Sequence, residues 1–180
     1  LPIISIGELF IYPMGVYSHK YKKLSDLPNN AKVAIPNDAS NQERSLLLLE
    51  KAGLITLEHN DSPNMSISKQ KIIANPKNLQ FEEVDPAFMV RMLDDLDLAV
   101  INTNYAAMAK LLPNRDALYA EDKESKYANI LVVRDQDKDQ EKFKQLLSAL
   151  RSPEVISKAK ELFNNQVIEA WVSVTPGKRM

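Results

Sequence analysis

Residues 33–55, VAIPNDASNQERSLLLLEKAGLI, constrain the fold more than any other stretch of this chain. A β-branched apolar run passes through Pro36, Asn37 and Asp38 into a segment of helical composition. A strand followed at once by a helix belongs to α/β proteins, where the helix covers the sheet that the strand joins. Ser40 and Glu43 have capping-box spacing, in which hydroxyl and carboxylate each satisfy a free N–H. Residues 46–49 are all leucine, so the helix is expected to be buried, and Gly53 suits the left-handed position beyond its end. Arg44 follows the capping glutamate directly. A polar strand end, free amide donors and a nearby cation suit a small anion, and this segment is expected to hold a carboxylate.

The rest of the chain repeats the alternation. Residues 1–17 read as extended structure, interrupted at Gly7 and bent at Pro13. Tyr12 and Tyr17 either line a pocket or are half-buried strand aromatics. A short turn or helical turn is expected to start at Ser25 and Asp26, before Pro28. Strands are expected at 32–36, 55–58, 79–84, 98–101, 117–120 and 129–134. Helices are expected at 41–52, 68–74, 86–94, 103–111, 138–150 and 153–163, the last capped by Ser152 with Pro153 at its first position. Residues 60–64 read as a loop, 121–126 as a charged turn, 167–171 as a segment packing back on the body and 172–180 as a frayed tail. The pattern gives an α/β fold with a mainly parallel sheet, whose ligands sit beyond the carboxyl ends of strands. Two polar strand ends meet that rule: 36–44, and Asn102 after LAVI.

Composition limits the chemistry. The 180 residues carry 23 basic and 24 acidic side chains, a formal net charge of −1, so no basic field calls for nucleic acid. Absence of cysteine excludes disulfides, thiolate metal sites and cysteine nucleophiles. No run approaches the ~20 apolar residues of a membrane span, and the first residues lack the basic start of a signal peptide. Leu1 in place of an initiator Met leads to the expectation of a processed or partial chain. His19 and His59 have no partner at metal-ligand spacing and are expected to be solvated. Asp94, Asp95 and Asp97 lack the spacing of a calcium loop and read as a solvated turn. No phosphate-binding glycine motif and no GxSxG elbow is present. What survives is Arg44 with two amides at strand ends, Asn102 and Asn129. A guanidinium for a carboxylate and amide oxygens for an ammonium suit a free amino acid.

The stretches FIYPMGVYS (10–18), VAIPNDASNQERSLLLLEKAGLI (33–55), NPKNL (75–79), LDDLDLAVINTNYA (93–106) and EDKESKYANILVVR (121–134) carry a further indication. In this order and spacing the chain resembles the methionine-binding lipoproteins, the substrate-binding components of bacterial methionine ABC importers. The resemblance implies a type II periplasmic-binding-protein-like α/β fold of two lobes that close over a free amino acid without catalysis. Residues 1–12 would be a crossover and remnant of lobe 1, 13–125 lobe 2, and 126–180 the return crossover strand and C-terminal helices of lobe 1. It implies that Arg44 takes the α-carboxylate and that Asn102 and Asn129 hold the α-amino and carboxylate groups. Asn41, Tyr12 and Tyr17 support them near the cleft, and no cofactor or metal is expected.

The implied partners are L- or D-methionine and the permease and ATPase subunits of the importer. The implied location is extracytoplasmic, with the intact protein lipid-anchored after signal-peptide removal through a cysteine that this chain lacks. The family carries a further half-lobe before the position of Leu1, with the aromatic and histidine residues that enclose the methionine side chain. One lobe is therefore expected nearly complete and the other without its N-terminal half, its exposed apolar surface open to self-association. The alternative is a non-binding fragment, an assembly or antigenic module that keeps the fold.

Overall fold

The computed structural model describes residues 1–59, 67–122 and 124–171. Its strands are β1 (Ile3–Glu8), β2 (Phe10–Ile11), β3 (Gly15–Tyr17), β4 (Lys32–Pro36), β5 (Thr56–Leu57), β6 (Ile72–Ala74), β7 (Gln80–Val84), β8 (Leu98–Ile101), β9 (Tyr119–Ala120), β10 (Ile130–Arg134) and β11 (Ile168–Glu169). Its helices are α1 (Ala39–Lys51), α2 (Pro86–Met89), α3 (Thr103–Met108), α4 (Pro113–Asp116), α5 (Glu141–Leu150) and α6 (Pro153–Leu162). The chain divides into two compact units, Met14–Glu121 and the pair Leu1–Pro13 with Asp122–Met180.

In the unit Met14–Glu121 a five-stranded sheet runs β7-β4-β8-β3-β9. Strand periodicity sends Val33, Ile35, Leu98 and Val100 to one face, where they pack with Leu46 and Leu49 of α1. Ala34, Ala99 and Ile101 go to the other, against Tyr17, Met89, Leu93 and Ala106. Both faces are covered, which is why VAI and LAVI are continuous apolar runs without alternation. The small side chains Ala34 and Ala99 sit opposite one another and leave room for the bulkier layer above them. Helix α1 ends in a Schellman arrangement: Gly53, at φ +76°, donates to the Glu50 carbonyl, and Leu54 donates to that of Leu49.

Several expectations are corrected. The sheet is mixed: β4 is parallel to β7 and β8, whereas β3 is antiparallel to β8 and β9. Strands β3 and β9 carry the chain into and out of this unit, and antiparallel pairing brings Met14 and Glu121 together. The Glu121 amide donates to the Met14 carbonyl at 2.9 Å. Residues 68–74 are a 3-10 turn, Lys69–Lys71, leading into β6, because Ile72–Ala74 find a partner in β5. The helix expected at 86–94 is α2 continued as a 3-10 turn, Val90–Met92. That expected from 138 starts at Glu141 behind a 3-10 turn, Asp135–Asp137. The 103–111 helix stops at Met108, and α4 follows it unannounced. The histidines are exposed but not solitary: His19 Nδ1 lies 2.7 Å from Asp94 Oδ1, and His59 Nε2 lies 2.7 Å from Glu50 Oε2. The loop at 60–64 and the tail at 172–180 lie outside the described residues, as does Lys123 in the charged turn.

In the other unit β1 pairs antiparallel with β10, and β2 with β11. Phe10, Ala159 and Val167 form its buried centre, with Trp171 edge-on to Phe10 at 5.1 Å. Ser152 caps α6, its hydroxyl accepting from the Val155 amide.

Candidate functional site

The parallel pairing of β4 and β8, with Val33 opposite Leu98, puts their carboxyl ends side by side. The residues just past those ends therefore meet although 61 positions separate them: Asn102 Nδ2 donates to Asn41 Oδ1 at 2.8 Å. Asn102 is the N-cap of α3, yet its side chain makes no capping bond and points into this contact instead. Its Oδ1 is buried and receives no hydrogen bond among the described residues.

The direction of each amide here follows from chemistry. Asp38 caps α1, accepting at Oδ1 from the Asn41 backbone amide at 3.0 Å and from the Ser40 hydroxyl at 3.1 Å. Asn41 Nδ2 lies 3.1 Å from both Asp38 oxygens. An ionised carboxylate only accepts, so the nitrogen end of Asn41 must face it and the oxygen end must face Asn102. Asn102 must then present its nitrogen to Asn41 and its oxygen the other way. Burial works to raise the Asp38 pKa, but the bonds from Asn41 and Ser40 outweigh it and hold the carboxyl below its ordinary range.

The helix start thus differs from the expected capping box. Asp38 caps α1, one residue before its first turn, and Ser40 is a donor to that cap. The carboxylate that α1 attracts in this structure is its own.

Arg44 is held by Glu121. Nε donates to Oε1 at 2.8 Å and Nη2 to Oε2 at 2.5 Å, with both side chains about nine-tenths buried. The Met14 amide also donates to Glu121 Oε2, at 3.0 Å. This bidentate pair anchors the guanidinium where β3 begins and β9 ends.

Tyr17 belongs to the same unit as these residues, and Tyr12 and Asn129 to the other. Tyr17 is 1% exposed, packed in the core beside Ala34 and Ala99, with a hydroxyl that has no partner among the described residues. Burial, with Asp116 adding to it, pushes its pKa up. A Cβ on Gly15 would lie 2.7–2.8 Å from this ring, so the position needs glycine. Tyr17 also lines a pocket of about 330 Å³ with His19, Lys22, Arg115 and Asp116. In the second unit Tyr12 stacks edge-on to Phe163 at 4.9 Å, and burial raises its pKa. Asn129 there is exposed, its backbone bonded to Phe10 and Leu9.

The structure brings together Asn41 and Asn102 and adds two residues that sequence reasoning passed over, Asp38 and Glu121. Asp38 had a local signal, since aspartate is a favoured N-cap and Asn41 lies three residues on. Glu121 had none, lying 77 residues from Arg44. Among the described residues no cluster of His, Cys, Asp or Glu could hold a metal ion.

A family model described as NlpA lipoprotein matches residues 1–171. The D-methionine-binding lipoprotein MetQ of Salmonella typhi is 42% identical over 171 residues, 94% of this chain and 62% of that protein. The same-named protein of Escherichia coli K12 is 41% identical over 171 residues, with the same coverage of 94% and 62%. Among solved structures, a periplasmic substrate-binding protein of an ABC transporter from Coxiella burnetii is 49% identical with a TM-score of 0.85, over 93% of this chain and 70% of that one. A nutrient-binding protein from Burkholderia cenocepacia, bound to methionine, is 45% identical with a TM-score of 0.87, over 94% and 70%. The α/β fold is that of these binding proteins over about 70% of their chains. The chain spans 62% of the length of the two MetQ relatives.

Proposed function

The chain belongs to the NlpA lipoprotein family, and we propose that it is part of the substrate-binding component of an ABC importer, holding free methionine without catalysis. In this reading Met14–Glu121 is one lobe, and the other unit is part of the second lobe, lacking that lobe's N-terminal half. The observation that carries it is the buried Asn102 Oδ1, an acceptor with no donor among the described residues. A buried acceptor left unpaired costs about 1–3 kcal/mol, and an α-ammonium group would satisfy it. Arg44 is the partner for the α-carboxylate, Asn129 is the second amide, and Asn41, Tyr12 and Tyr17 support them. The permease and ATPase subunits are the implied partners, and the family's lipoprotein character supports an extracytoplasmic, membrane-anchored location. Among the described residues no helix is long and apolar enough to cross a membrane.

Isothermal titration with L- and D-methionine tests the reading. Asn102→Ala should weaken binding by about 1.5–3 kcal/mol, the worth of a hydrogen bond to a charged group. Arg44→Ala and Asn129→Ala should weaken it too. No heat with either enantiomer, or an Asn102→Ala variant that binds like the parent, would sink the proposal. One observation favours the rival reading of a non-binding module that retains the fold: the Arg44 guanidinium is already bidentate on Glu121. That reading requires wild-type protein that gives no heat with either enantiomer.

A further inference from the structure

We propose that Asp38 is a positioning residue for specificity: acting through Asn41, it dictates that Asn102 shows a ligand its oxygen and not its nitrogen. The site therefore prefers an α-amino acid to the matching α-hydroxy acid. The proposal rests on the methionine-binding reading for its ligand, and on hydrogen-bond polarity alone for its mechanism.

An asparagine side chain is nearly symmetric in shape, so packing cannot tell its oxygen from its nitrogen. Only a partner of unambiguous polarity can. In the row Asp38–Asn41–Asn102 the one such group is the carboxylate, whose two oxygens both lie 3.1 Å from Asn41 Nδ2. Turning Asn41 over would set its oxygen against that carboxylate. With Asn41 held, its Oδ1 takes the Asn102 amino group at 2.8 Å and leaves Asn102 Oδ1 as the buried acceptor. A ligand ammonium has only donors and fits that acceptor. A ligand hydroxyl both donates and accepts, and fits either orientation of Asn102.

Asp38→Asn separates this role from a structural one. Asparagine caps a helix about as well as aspartate, so α1 keeps its cap. The new carboxamide can show Asn41 either end, however, and both amides beyond it become free to invert. Titration with L-methionine and with its α-hydroxy analogue should show methionine affinity falling by about tenfold in Asp38→Asn, with the analogue changed by less than about threefold. Equal losses for both, or none, would overturn the proposal. A second measurement needs no ligand. Hydrogen exchange of the Asn102 side-chain NH2, followed by NMR, should be slow in the parent and faster in Asp38→Asn. Unchanged exchange would overturn the proposal even where titration is silent. If instead Asn102→Ala binds methionine like the parent, the binding reading fails, and the exchange measurement alone decides the role of Asp38.

Discussion

Strands β8 and β10 are alike in composition, LAVI against ILVVR, and differ in what surrounds them. All four residues of β8 are fully buried, with β4 and β3 on either side and a packed layer on each face. In β10, whose one partner among the described residues is β1, Ile130 is 50% and Val132 41% exposed, and only Val133 of the strand is buried. Its partner exposes Ile3 and Ile4 as well. The contrast shows that β-branched composition marks a chain able to pleat and pair, while the number of neighbours decides how much apolar surface leaves water. Of the candidate binding residues in the unit Met14–Glu121, Asn102 lies just past the carboxyl end of β8, the central strand of the well-covered sheet, and Asn41 and Arg44 lie on α1, which packs on it. There each side chain can be held in one orientation.

The largest expected effect tests how firmly that sheet's margin is tied. Glu121→Ala removes the bidentate carboxylate from the Arg44 guanidinium in a site about nine-tenths buried, and should cost about 3–5 kcal/mol in urea unfolding followed by circular dichroism. A loss below about 1 kcal/mol would mean that the pair behaves as an exposed one. Next, the two strands can be compared directly. Leu98→Ala in β8 should cost about 2–5 kcal/mol, whereas Ile130→Ala in β10 should cost less than about 1 kcal/mol. Trp171, the one tryptophan, packs on Phe10 and reports by fluorescence on the unit that contains β10. Equal losses at the two positions would break the comparison.

Smaller effects sharpen it at the start of α1. Asp38→Ala removes the cap and should destabilise by about 0.5–2 kcal/mol, while Asp38→Asn should leave the unfolding midpoint nearly unchanged at neutral pH. Acid then separates these two proteins. The folded-state pKa of Asp38 is lowered, so its charge contributes stability that is whole above the ordinary value of 3.8. That contribution disappears as pH falls through the lowered value. The parent should therefore lose stability relative to Asp38→Asn only in that acidic window, and a difference that grows already near neutrality would contradict the capping geometry.

The secondary structure around the site was readable because its signals are local. Residues 32–36 and 98–101 are strands as their composition predicts, and α1 is a helix closed by Gly53. The sequence does not separate Asp38 from Ser40 as the cap, because both are good N-caps two residues apart and only the fold gives one of them the extended backbone that a cap needs. The 68–74 segment differs from its expectation for a related reason. A helix is expected there, but pairing with β5 makes Ile72–Ala74 a strand, an example of tertiary contact overriding local preference.

From sequence alone came the α/β alternation, the polar ends of two strands, and Arg44, Asn102 and Asn129 as the residues suited to an amino acid. These depend on periodicity and on donor and acceptor types, which the residues carry with them. Tertiary structure decided the rest: the mixed sheet, the Glu121 partner of Arg44, and the contact between Asn41 and Asn102. The physical reason is that hydrogen-bond polarity passes through space and not along the chain. Asn102 became a buried acceptor only when strand pairing set it beside Asn41, and Asn41 could orient it only because the Asp38 carboxylate had already oriented Asn41.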